Sequence, residues 1–128
     1  MRHKWAIRRL ESELNTIKAV IAGNERVNKI DSAVTLLIAE NIDLGSLPDG
    51  TPEERAIKNR VSDVLRTLDA TKPFGDARVE ARRKEVIDLL LSKVAWYEQR
   101  ISEDHQQIAE LEETLALLKA DQPQAQAA

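Results

Sequence analysis

The sequence contains no cysteine, which excludes disulfides, thiolate nucleophiles and thiolate-bound metals together and leaves the redox compartment unread. Aromatic residues are almost as scarce, since Trp5, Phe74, Trp96 and Tyr97 make up the whole 3%. Glycine and proline number four each, which suits long helices joined by few turns better than a sheet protein. The glycines are scattered at Gly23, Gly45, Gly50 and Gly75, so neither a Walker loop, nor a dinucleotide fingerprint, nor a nucleophile elbow can be assembled from them. Only His3 and His105 could act as imidazole bases or ligands, and neither has a nucleophile beside it in sequence. The residue three before His105 is Ser102, where a carboxylate-bridged metal bundle needs glutamate. Adjacent acids such as Glu112 and Glu113 point in different directions on a helix and read as a solvated face. These absences argue against an enzyme and against any metal or cofactor.

Long apolar runs are missing as well. A stretch such as VTLLIA, from Val34 to Ala39, falls far short of the roughly 20 residues that a membrane-spanning helix needs. No basic, apolar and small-residue succession of a secretory signal opens the chain. The expectation is a soluble, cytoplasmic protein with no membrane partner. Formal net charge is -3, so there is no bulk attraction for nucleic acid, and any such affinity needs a local patch.

What the sequence does hold is helical periodicity. Its 128 residues, 42% apolar and 32% charged, are enough for one folded domain and too apolar for a disordered chain. We expect a single helical domain over residues 1–120 and a flexible tail over 121–128, where DQPQAQAA offers no apolar anchor. Ile7, Leu10, Leu14, Ile17 and Ile21 alternate three and four apart, as a helix burying a narrow seam requires. Gly23 and Asn24 interrupt the pattern. Val27, Ile30, Val34, Leu37 and Ile38 then resume it in a shifted register, as a second helix or as a kinked continuation of the first. Gly45 marks a stop, and Thr51-Pro52-Glu53-Glu54 reads as a capping box with proline at the first helical position. A third helix carries Ile57, Val61, Val64, Leu65 and Leu68 on one face, and KPFG ends it, with Asp76 available to cap the next.

The last helix repeats Ile87, Val94, Ile101, Ile108 and Leu115 every seven residues, with Leu90, Tyr97, Leu111 and Leu118 three after four of them. From Asp76 to Lys119 it would measure about 66 Å at about 1.5 Å per residue. Val86, Leu89 and Trp96 add a second stripe to its first half alone, so two neighbours should pack there and one beyond Ile101. One antiparallel register satisfies the first and last helices together. Ile7 faces Leu118, Leu10 faces Leu115, Leu14 faces Leu111 and Ile17 faces Ile108, and the next layers put Ile21 by Asp104, Asn24 by Ile101 and Asn28 by Tyr97. The same register brings Glu11 to Lys119, Lys18 to Glu112 and Glu25 to His105, all of compatible sign. Asp104 then sits in the seam, where a charge is costly unless a partner or water reaches it, with Asn24 and His105 as candidates. The expected fold is therefore all-α: a long, coiled-coil-like antiparallel helical hairpin, with two further helices forming a bundle at one end. The rival is a parallel dimer through the last helix.

Three surface groups remain for function. In MRHKWAIRR, the phase set by Ile7 and Leu10 puts Arg2, Trp5, Arg8 and Arg9 on the outer side of the first helix. An outward tryptophan ringed by arginines has the composition of a protein interaction hot spot, and also of a stacking-and-phosphate contact for nucleic acid. On the third helix Arg55, Lys58, Asn59 and Arg66, together with Ser62, form a face that could touch a groove of DNA. There Arg55, Lys58, Arg60 and Arg66 are balanced by Glu53, Glu54, Asp63 and Asp69, which favours a solvated surface. Val86, Leu89 and Trp96 offer surplus apolar area for contact with another copy, which predicts a homo-oligomer. The functional expectation is a non-enzymatic helical adaptor or scaffold that binds a protein partner or itself. The alternative is a nucleic-acid accessory protein of the DNA packaging or recombination type, using the basic-aromatic patch.

Overall fold

Residues 3–121 are described by the structure, a computed structural model. They form three helices: α1 over Lys4–Ala39, α2 over Pro52–Thr71 and α3 over Asp76–Ala120, with short 3-10 turns at Leu44–Ser46 and Lys72–Phe74. No strand occurs among the described residues, and the long helices α1 and α3 pack together, as the paired heptads require. Arg2 and residues 122–128 of the expected tail lie outside the described residues.

Gly23 does not interrupt the first helix. The expected first and second helices are one uninterrupted element, α1, so the bundle is built from the later part of α1, from α2 and from the earlier part of α3. A mid-helix glycine costs about 1 kcal/mol relative to alanine, which is too little to break a helix whose residues on both sides are packed. The helix ends earlier than Gly45 suggests. Asn41 takes the left-handed conformation at φ 54°, and its N–H donates to the Ile38 carbonyl while that of Ile42 donates to Leu37. This is the Schellman closure, with asparagine in the place that glycine more often holds.

The start of α2 follows the sequence expectation closely. The Thr51 hydroxyl accepts from the Glu54 N–H at 3.1 Å, and the Glu54 carboxylate accepts from the Thr51 N–H at 3.0 Å. Gly75, at φ 100°, turns the chain from α2 into α3. Its carbonyl accepts the first helical bonds, from Arg78 and Val79, so Asp76 lies inside the first turn of α3 rather than before it.

Contacts group the chain into two compact units, one made of residues up to Glu25 together with those from Gln99 onward, the other of Arg26–Glu98. The first is a two-helix seam. Ile7, Leu14, Ile21, Ile108 and Leu115 are its buried core, with Leu10, Ile17, Ile101, Leu111 and Leu118 packed against them, and these ten are the seam residues that the heptads pick out. His3 closes the layer beyond Ile7, with Nε2 at 2.8 Å from Asp121 Oδ2. His105 Nε2 lies 3.7 Å from Glu25 Oε1, one of the three flanking pairs expected of the register. Glu11, Lys18, Glu112 and Lys119, the other two pairs, line one groove of the seam without closing to ion-pair distance. Asp104 is buried there. Its partner is neither Asn24 nor His105 but Arg100, one turn back on α3, with Nε 3.7 Å from Oδ1, while Oδ2 is buried without a partner.

The second unit has a separate core. Val34 and Ile38 of α1, Val61 of α2 and Leu90 of α3 are buried together. Ile42, Leu44 and Leu47 from the connection before α2 also pack against them, so a stretch that reads as turn in the sequence supplies core side chains. A buried ion pair ties two of the helices: Asp31 of α1, only 2% exposed, receives Arg60 Nη2 of α2 at 2.9 Å. Because Arg60 keeps 43% of its side chain in solvent, only one of the two charges loses most of its water, which lowers the desolvation cost that makes fully buried pairs unprofitable.

Candidate protein interaction sites

The first turns of α1 set the first site. Ile7 faces the seam and is buried, so a helix of 3.6 residues per turn carries Trp5, Arg8 and Arg9 outward, and all three are exposed. Trp5 is 72% exposed, and the Arg9 guanidinium lies over its ring, 5.4 Å from the centroid, a cation–π contact. Arg9 Nε is also 3.6 Å from Glu13 Oε1 one turn on. Arg8 has no ion-pair partner among the described residues. The result is a flat apolar surface bordered by two guanidinium groups, one stacked and one open to a partner. Arg2, the fourth member of the group, lies outside the described residues.

The α2 face is brought together but is largely occupied by its own chain. Arg55 Nη1 donates to the Asp49 carbonyl at 3.3 Å, and Lys58 Nζ is 3.5 Å from Asp49 Oδ2. Arg66 Nη2 is held by Asp63 Oδ1 at 2.6 Å, and Arg60 is directed to Asp31. Asn59 is exposed beside Ser62 in the same shallow depression. Three of the four basic side chains of α2 thus meet acids of the chain itself, and Arg55 meets two backbone carbonyls.

The α3 group divides. Val86 packs against the core of the second unit and is used within the chain. Leu89 and Trp96 remain outside, 61% and 60% exposed, seven residues apart on one face. Trp96 meets Tyr97 edge to face at 5.0 Å.

A further feature has no motif in the sequence. In the second unit Ala33, Leu36 and Leu37 of α1, Leu47 and Pro48 of the connection and Ile57 of α2 line an apolar groove of about 390 Å³, with Glu40 and Glu54 among its lining residues. Leu36 is 62% exposed. The only sequence signal was that Leu36 falls off the stripe of Ile30, Val34 and Leu37, an apolar residue with no seam to fill. Among the described residues no three His, Asp or Glu side chains are grouped as a metal site, and no helix is long and apolar enough to cross a membrane. Comparison with protein-family models, with curated proteins and with solved structures finds no match to this chain.

Proposed function

We propose that this chain is a non-enzymatic helical scaffold or adaptor of the cytoplasm, acting through protein–protein contacts and associating with itself. The observation that carries this reading is Trp5, a large aromatic left 72% exposed on a helix whose buried face is already filled, with arginines one turn ahead. Exposed tryptophan and arginine are the residue types that contribute most binding energy at protein interfaces. Leu89 and Trp96 supply additional exposed apolar area on α3. The basic face of α2 gives little support to the nucleic-acid alternative, because its cations are met by acids or carbonyls of the same chain.

Sedimentation velocity over a concentration series tests the reading. The wild-type protein is expected to associate as concentration rises, and Trp5→Ala/Arg8→Ala to associate at least about tenfold more weakly, with unchanged circular dichroism. Fluorescence anisotropy of labelled duplex and single-stranded DNA runs beside it. Binding that falls steeply with salt and vanishes in the variant, with no self-association, would replace the scaffold by a nucleic-acid contact.

A further inference from the structure

The apolar groove of the second unit carries Glu40 and Glu54 and the Trp5 patch carries arginines, and we propose that a second copy of this chain fills the groove. Trp5 of one copy enters the groove lined by Leu36, Leu47 and Ile57 in another. This rests on the reading of the chain as self-associating, and names the surface on which it assembles.

Size and polarity fit first. A groove of about 390 Å³, in the roughly 300–1,000 Å³ range of pockets for drug-sized ligands, has room for an indole, which is rigid, flat and mostly apolar. Charge fits next. Glu40 and Glu54 are the charged residues of the groove, and α1 ends beside it with no basic residue in its last turn, so the partial negative charge of the helix terminus is uncompensated by its own side chains. Trp5 brings the opposite sign, chiefly in Arg8, since Arg9 also lies 3.6 Å from Glu13. Trp5 is the more exposed of the two indoles, 72% against 60% for Trp96, and its cover is the exposed Arg9 side chain rather than a second ring, as Tyr97 is for Trp96. Patch and groove are different surfaces, so their contact is heterologous, and unless the geometry closes a ring it extends by adding copies rather than stopping at two.

Mixing complementary variants tests this directly. Trp5→Ala keeps the groove and removes the indole. Leu36→Arg keeps the indole and blocks the groove with a cation, and both positions are exposed enough for the fold to tolerate the change. Each variant alone is expected to associate at least about tenfold more weakly than wild type, while their equimolar mixture forms a one-to-one pair and nothing larger. Trp96→Phe should assemble like wild type. If the wild type assembles but the mixture forms no pair, or Trp5→Ala assembles normally, this contact is wrong and self-association runs through another surface. A wild type that stays monomeric at every concentration would overturn the self-association reading itself, and this inference with it.

Discussion

Asp31 and Asp104 are both buried carboxylates on helices, and what meets each decides its cost. Asp31 accepts a 2.9 Å bond from Arg60, and the Thr35 hydroxyl donates to its carbonyl at 2.7 Å. Among the described residues Asp104 has Arg100 at 3.7 Å on one oxygen and no hydrogen-bond partner on the other. A buried carboxylate with a single ion pair as long as 3.7 Å carries a desolvation cost that an apolar side chain does not. Asp104→Leu should therefore stabilise the protein by about 1 kcal/mol or more, read as a higher urea midpoint at unchanged slope. A lower midpoint would mean that the unpaired oxygen has a partner in solution. The position of Asp104 in the seam was legible from the heptads. Its partner was not, because Arg100 lies on the same helix, whereas the heptad register points to residues across the seam. Asp31 is illegible for a related reason, since one aspartate on a helix carries no sign of the Arg60 that meets it from α2.

For the elements, caps were more legible than continuity. The Thr51 and Glu54 box is written in four adjacent residues and depends on nothing else, so it appears as expected. The stop of α1 at Asn41 is hard to read from sequence because glycine is the commoner left-handed residue and Gly45 stands four residues on. Continuity through Gly23 is a matter of packing. The seam of Ile7, Leu14 and Ile21 carries on in phase through positions 24, 28, 31 and 35, which are half-buried or buried but polar, while Ile30, Val34 and Leu37 serve the core of the second unit. An apparent change of register is thus a second buried face beside the first. Apart from its chain neighbours and the backbone of α1 itself, no atom among the described residues lies within 4 Å of where a Cβ would stand on Gly23, so Gly23→Ala should stabilise α1 by about 0.5–1 kcal/mol, measured by thermal or urea unfolding. A loss of stability would show that the helix needs to flex there.

For the whole molecule, the antiparallel pairing makes a prediction that separates it from the parallel dimer. Leu10 and Leu115 belong to one core cluster, so Leu10→Cys with Leu115→Cys should oxidise to a disulfide within one chain, seen as a monomer of altered mobility on a non-reducing gel. Leu115→Cys alone should stay unlinked, and a dimer from it would favour the parallel arrangement. Contacts group the chain into two units, each with its own core, a partition that the unbroken length of α1 and α3 hides in the sequence. The sequence by itself determined the helical class, the ten seam residues, and the outward placement of Trp5, Arg8 and Arg9, because each follows from periodicity along a single helix. Only the tertiary structure decided that Arg60 meets Asp31, that Val86 is used internally, and that Leu36, Leu47 and Ile57 converge on one groove. Those outcomes depend on how segments far apart in the chain meet, and no local spacing of residues encodes that.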